Sequence, residues 1–543
     1  MELLHPCFSL LVFFSITVFA QNINRVNDPI IYKGSQLTSC FVSANPSDIV
    51  AFSYSPTGWQ QIPLQIDEME VVDVVACYGP HAVTAGFPPP TGYSILAYSD
   101  AGTYIGADTD ISFDADDELV FMALDAGLQA PPLVPQPVGV TSANCCELQV
   151  TDPIDGNIAY VYLFLQDGSL QQDAGMDLVS YSFALASGGS YPTNYNFFGF
   201  EAENSSITTA AYQHYFSSRW VNEQLSNSTS GSSNTDILNR HQSYFAPGVC
   251  VRSEDTFSNG EGCFLTIKDG PLRAIRSYMG ANSGPLTQRT HLFYESRHDI
   301  ITDLRVHSIS SIYDCFDYET TAPGMKYYNN LNTGGLDIDG LPEPCNLGLV
   351  EWELVEGSHG SLSIIHDLET DLNLTTEATV SSYWEDDAAN SIANCTGDGL
   401  AIGNSGLAIT FINSNVCTDP VLTNCGYASP NFRELKAKRI LYYESPGQGV
   451  ADATLKHNQY ENPLLLATNA CSICWVNLNL TDPNDTYVNG DNVHLQVSNK
   501  IEGSNTVQLG ATAIYDAKIC VELHPNFNIE QGAQFEVTMT GCN

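Results

Sequence analysis

Short runs rich in Val, Ile, Tyr, Phe and Thr recur along the chain, each closed off by a cluster of Gly, Pro, Asn or Asp. This punctuation limits the fold more than any other feature. Residues 48–54, 118–124, 158–165, 262–267, 291–294, 362–366, 407–412, 438–443 and 534–539 all follow it. Runs of this kind read as strands, because branched and aromatic side chains suit a pleated surface and the flanking residues suit turns. Helical periodicity is hard to find, and the fairest helix candidate, 205–212, is short. The expected fold is therefore mainly β: two or three β-sandwich-like domains, disulfide-stapled, with few short helices.

A chain of 543 residues is too long for one hydrophobic core. The expected divisions are a signal peptide (1–20), an N-terminal β domain with an acidic loop (21–200), a central β domain (201–457) and a small sandwich-like domain (458–543). Residues 128–139 form a Pro-rich connection, and 226–236 read as a flexible loop. Tyr-Glu-Ser and Thr-Asp-Pro each occur twice without setting a period, so solenoids and propellers are not expected.

The compartment follows from the N-terminus. Leu10 to Ala20 is apolar, and Val18-Phe19-Ala20 suits signal cleavage before Gln21. No later stretch is long and apolar enough to span a membrane. Sequons begin at Asn204, Asn227, Asn373, Asn394, Asn479 and Asn484; Cys395 inside the Asn394 sequon weakens that one. Of 16 cysteines, Cys7 lies in the leader. An oxidising compartment favours pairing of the others. Local spacing suggests Cys40 with Cys77, Cys250 with Cys263, Cys315 with Cys345, and Cys417 with Cys425. Cys471, Cys474, Cys520 and Cys542 would staple the last segment. The chain is thus expected to be secreted into the extracellular matrix.

The chain holds 62 Asp and Glu against 19 Lys and Arg, a formal charge of −43. Phosphate binding needs a basic surface, so nucleic acid is excluded as a partner. Cations and basic partners are favoured, with solubility as the plain alternative. The acids are spread through folded sequence and form no poly-acid tract.

The strongest chemical pattern is Asp108-Thr-Asp110-Ile-Ser-Phe-Asp114-Ala-Asp116-Asp117-Glu118. Alternating carboxylates can converge oxygens on a calcium ion. The start resembles an EF-hand loop but lacks the Gly at its sixth position and any flanking helices, leaving a β-loop site. The competing reading is that Asp108 and Asp110 form Asx turns and Glu118 opens a strand. Three weaker acidic turns surround Asp152/Asp155, Asp337/Asp339 and Asp482/Asp485. For hydrolysis, Glu351 and Glu353 would share a strand face, and Glu385, Asp386 and Asp387 follow Trp384, an aromatic that could stack on a sugar. His291, His298 and His307 form one loose group, and His359 and His366 another, without a zinc spacing. In the segment from Trp59 to Glu68, Trp59, Ile62, Leu64 and Ile66 are expected to pack on one side, with Asp67 and Glu68 as minor cation contacts.

YSPTGWQQIPLQIDEM (54–69) and ADTDISFDADDELVFMALDAG (107–127) resemble the folded portion of coral acid-rich proteins of skeletal organic matrices. WELVEGSHGSL (352–362) and CTGDGLAIGNSG (395–406) resemble uncharacterised secreted bacterial proteins. The resemblance covers about residues 25–450. It implies an extracellular protein that binds calcium and associates with calcium carbonate mineral, with the cation-binding reading of Asp108, Asp110, Asp114, Asp116, Asp117 and Glu118 carried over; matrix proteins or glycans are further expected partners. The long Asp-rich tracts of the coral proteins are missing here, which removes poly-acid templating. The alternative is a secreted lyase or glycoside hydrolase acting on polysaccharide.

Overall fold

The computed structural model describes residues 23–541, apart from 38–40, 42, 82–91, 132–133, 246–251, 282–283, 321–323, 390–396, 413–415, 420–432 and 471–474. The expected signal segment, Asn394, Cys40, Cys250, Cys425, Cys471, Cys474 and Cys542 lie outside the described residues. The fold is mainly β, and each of the nine expected runs overlaps a strand. The expected helix at 205–212 is corrected. Strand Ala202–Thr209 alternates buried and exposed positions, a two-residue period that a helix cannot present to a core. The longest helix among the described residues, Val450–Glu461, gave little sequence signal because it buries only Ala453 and Lys456.

Near the N-terminus two sheets face each other. Three strands, ordered Pro29–Lys33, Glu118–Met122 and Gln65–Asp67, oppose five, ordered Leu465–Ala470, Val140–Thr151, Ile158–Gln166, Ile49–Ser55 and Gly58–Ile62. Ile30, Leu119, Phe121, Leu148, Val161 and Leu163 meet between them. Leu465–Ala470 crosses the expected division at 457 to join this sheet.

The centre is a nine-stranded antiparallel sheet. Its order is Cys263–Lys268, Ala274–Met279, Gln288–Phe293, Arg297–Asp303, Leu435–Glu444, Gly360–Thr370, Trp352–Gly357, Met325–Asn329 and Leu336–Ile338. All six residues of Gln288–Phe293 are buried, so this strand has both faces covered. Two four-stranded sheets supply partners for its core, one running Val179–Ser182 to Asn222–Asn227 and the other containing Leu238–Phe245, Ser311–Tyr318, Ala378–Asp387 and Ala401–Phe411. Val179 and Tyr181 belong to this central core, so it begins before residue 200.

The last segment corrects the sandwich expectation. Strands Trp475–Thr481, Asn492–Ser504, Thr512–Ala517 and Gln534–Thr538 pair in parallel. Leu478 stacks on Ile501 and Ile501 on Val521; Val493 stacks on Ala513 and Ala513 on Phe535. This is a short solenoid with a rung of about 20 residues.

Cys145, Cys146 and Cys417 are disulfide-bonded. No disulfide joins two described cysteines. Cys77, Cys263, Cys315, Cys345 and Cys520 carry free thiols. The expected pairs of Cys40 with Cys77, Cys250 with Cys263 and Cys315 with Cys345 are therefore not made, and Cys520 is not a staple. Asn204, Asn373, Asn479 and Asn484 are exposed. Asn227, by contrast, is buried, and its Nδ2 donates to the carbonyls of Glu444 (3.0 Å) and Ser361 (3.4 Å).

Candidate functional site

The acidic loop leads into strand Glu118–Met122, which pins its end in the N-terminal core. Most of its acids make Asx turns. The N–H of Asp110 donates to Asp108 Oδ1 (2.9 Å), that of Ser112 to Asp110 Oδ1 (3.2 Å) and that of Asp116 to Asp114 Oδ1 (3.1 Å). Asp117 turns inward and accepts the N–H groups of Met69 (3.0 Å) and Asp114 (2.9 Å). Glu118 leaves the expected calcium set. Its Oε2 accepts from Arg273 Nη2 (2.7 Å) and Tyr98 Oη (2.8 Å).

What remains is a patch of like charge. The Asp114 carboxyl beside it, with some burial, raises the Asp116 pKa to about 6. Burial, opposed by its two backbone donors, raises Asp117 to about 6. Glu68 is raised by burial and then by Asp108, Asp110 and Asp114. Glu70 joins the rim, accepting from Thr109 Oγ1 (2.9 Å). Asp67 does contact cations, but they belong to the protein: Arg273 Nε (2.7 Å) and Lys268 Nζ (2.5 Å). Among the described residues, no three of His, Cys, Asp and Glu converge where a metal could sit. The residues therefore do not form a preformed six-carboxylate cage.

The weaker acidic turns all have structural roles. Asp152 pairs with Arg25 (2.8 Å), Asp337 with Lys326 (2.6 Å), and Asp485 Oδ2 accepts the N–H of Thr481 (2.7 Å). Trp59 packs edge-on against Tyr162, while Ile62, Leu64 and Ile66 enter the opposite core. Positions 59 and 62 differ by an odd number within strand Gly58–Ile62, so they face opposite ways.

The second locus lies on three adjacent interior strands of the nine-stranded sheet, Leu435–Glu444, Gly360–Thr370 and Trp352–Gly357. Glu351 is exposed and Glu353 fully buried, so they form no catalytic pair. Glu353 instead meets His366: Nε2 lies 3.0 Å from Oε2. Tyr327 Oη donates to Glu353 Oε1 (2.8 Å), and Arg439 Nη2 lies 3.5 Å from Oε2. Burial alone would raise the Glu353 pKa, but His366 and Arg439 hold it below the usual value. His366 Nδ1 has no partner among the described residues. His366 also lines a cavity of about 320 Å³ with Glu351, Asp367, His457 and Glu461. An imidazole oriented by a carboxylate is the arrangement of a general base. The sequence held both residues, but only strand register placed them together. Asp386 is spent on the backbone N–H groups of Asp339, Gly340 and Gly403, and Trp384 stacks on Tyr327.

His291 and His298 do meet, Nδ1 to Nε2 at 3.0 Å, and His214 joins them at a ring distance of 4.9 Å. His307 is elsewhere, 3.1 Å from Arg252 Nη1. Burial pushes His214 down to about 3 and pulls His291 and His298 well below the ordinary value. These are neutral core rings.

No family model matches this chain. No curated protein matches it either. Among solved structures, it is similar to a putative aldose 1-epimerase from Escherichia coli K12, at 10% identity and a TM-score of 0.22, covering 49% of this chain and 99% of that one. A likeness at that level carries no argument about this chain.

Proposed function

We propose that this is a secreted, acidic glycoprotein of the extracellular or skeletal organic matrix, whose loop 108–118 captures calcium or the calcium of a carbonate mineral. The observation that supports it is the crowding of carboxylates at this loop: Asp114 and Asp116 share one Asx turn, and Glu68, Asp108, Asp110 and Asp117 lie near enough to influence their charge. Like charges so placed raise one another's pKa, and a bound cation relieves them. Calcium suits the patch because it accepts irregular oxygen shells that include carbonyls and water. The wider acidic surface adds diffuse capacity that salt screens.

The test is calorimetric calcium titration of the mature chain at low salt and at about 0.5 M salt, where the Debye length is short. At least one site should survive high salt and disappear in Asp114→Asn/Asp116→Asn. An unchanged stoichiometry in that variant would sink the assignment.

A second reading, an enzyme acting on polysaccharide, is favoured by the Glu353–His366 pair at the cavity. Release of reducing ends or unsaturated sugars from a glycan panel, abolished by His366→Gln, is its expected signature. No release from neutral or uronate-rich glycans would remove it.

A further inference from the structure

Cys77 and Cys263 lie far apart in sequence and meet in one buried cluster. Cys77 sits in the 3-10 segment Val74–His81, directly after strand Met69–Asp73. Cys263 opens Cys263–Lys268, the edge strand of the nine-stranded sheet. Both side chains are almost wholly buried, among Val74, Val75, Leu265, Met279 and Leu286. Segment Val74–His81 packs against strand Cys263–Lys268, which brings both thiols into this one small cluster. Neither is bonded to another cysteine.

We propose that Cys77 and Cys263 form a disulfide in the mature protein, tying the hairpin beside the acidic loop to the edge of the central sheet. The oxidant is a small-molecule disulfide such as oxidised glutathione. One protein thiolate attacks a donor sulfur and expels a glutathione thiolate. The second protein thiolate then attacks the mixed disulfide and expels the other. One S–S bond forms, one breaks, and the two thiol protons end on two molecules of reduced glutathione. Burial, followed by the influence of the neighbouring Cys77, pushes the Cys263 thiol well above its ordinary range, so exchange belongs to the folding chain before the cluster closes.

The tethered hairpin pairs Met69–Asp73 with Ser94–Tyr98. It carries Glu70 and the Met69 N–H that donates to Asp117. The cross-link would therefore restrain the rim of the acidic loop as well as the cluster itself.

The test uses the full chain secreted by a eukaryotic host, denatured in an alkylating reagent without reductant, digested and mapped by mass spectrometry. The expected result is one Cys77–Cys263 peptide pair, two hydrogen atoms lighter than the separate thiol peptides and lost on reduction. Alkylation of both cysteines before reduction, or either one joined to another cysteine such as Cys40 or Cys250, would overturn the proposal. Cys77→Ser/Cys263→Ser should also unfold several degrees below the wild type without reductant, with the gap narrowing in reductant. If that variant does not fold, the peptide map decides alone.

Discussion

His214 shows what burial does to a single ionisable residue here. Its Nε2 lies 2.9 Å from Tyr443 Oη, and its Nδ1 faces the Asn222 amide. Burial depresses its pKa to about 3, that of His241 to about 3 and that of His359 to about 4. A folded pKa below the unfolded value means stability is complete above the ordinary histidine range and lost as pH falls towards the folded pKa. Asp116, Asp117 and Asp125, raised to about 6, act in the opposite direction: their folded forms lose stability as pH rises from the ordinary carboxylate range to about 6. Between those limits the two sets oppose each other. His214→Phe removes one ring titration and strands the Tyr443 hydroxyl. It should cost about 1–3 kcal/mol near neutral pH, and the cost should shrink as pH is lowered to about 5. Denaturant unfolding at both pH values measures this; a penalty independent of pH would refute the histidine account.

Among the elements, the C-terminal solenoid is energetically the most separable. Its buried residues, Leu478, Leu480, Val497, Ile501, Ala513 and Tyr515, form a core of their own. Each rung rests mainly on the next, so damage should stay local. Ile501→Ala removes a fully buried side chain between Leu478 and Val521. A loss of about 2–5 kcal/mol is expected from the cavity. Hydrogen exchange should accelerate across 475–538 and remain unchanged in the nine-stranded sheet. Equal acceleration in both would show that the solenoid and the sheet unfold together. The repeat escaped sequence reading because its rungs match in apolarity and not in residue type: Val493, Ala513 and Phe535 occupy one column.

Over the whole molecule, the cations are drawn inward. Arg219, Arg273, Arg276, Arg289 and Arg439 are buried, and four of these face carboxylates: Asp67, Glu203, Asp314 and Glu353. The surface is correspondingly acidic. Strand positions were legible from the sequence, because two-residue alternation and turn-forming Gly, Pro, Asn and Asp act over a few residues. The acidic loop was legible as a place, since its carboxylates are consecutive. Its internal division was not: Glu118 went to Arg273 and Asp117 turned inward, and both outcomes depend on partners distant in sequence. Asn227 reads as a sequon yet lies buried for the same reason. The meeting of Glu353 with His366 and of Cys77 with Cys263 likewise rests on strand register and packing. Composition and local spacing determined the β class and the acidic character; which groups touch was decided by tertiary structure, because contact requires a packed arrangement that no short stretch of chain encodes.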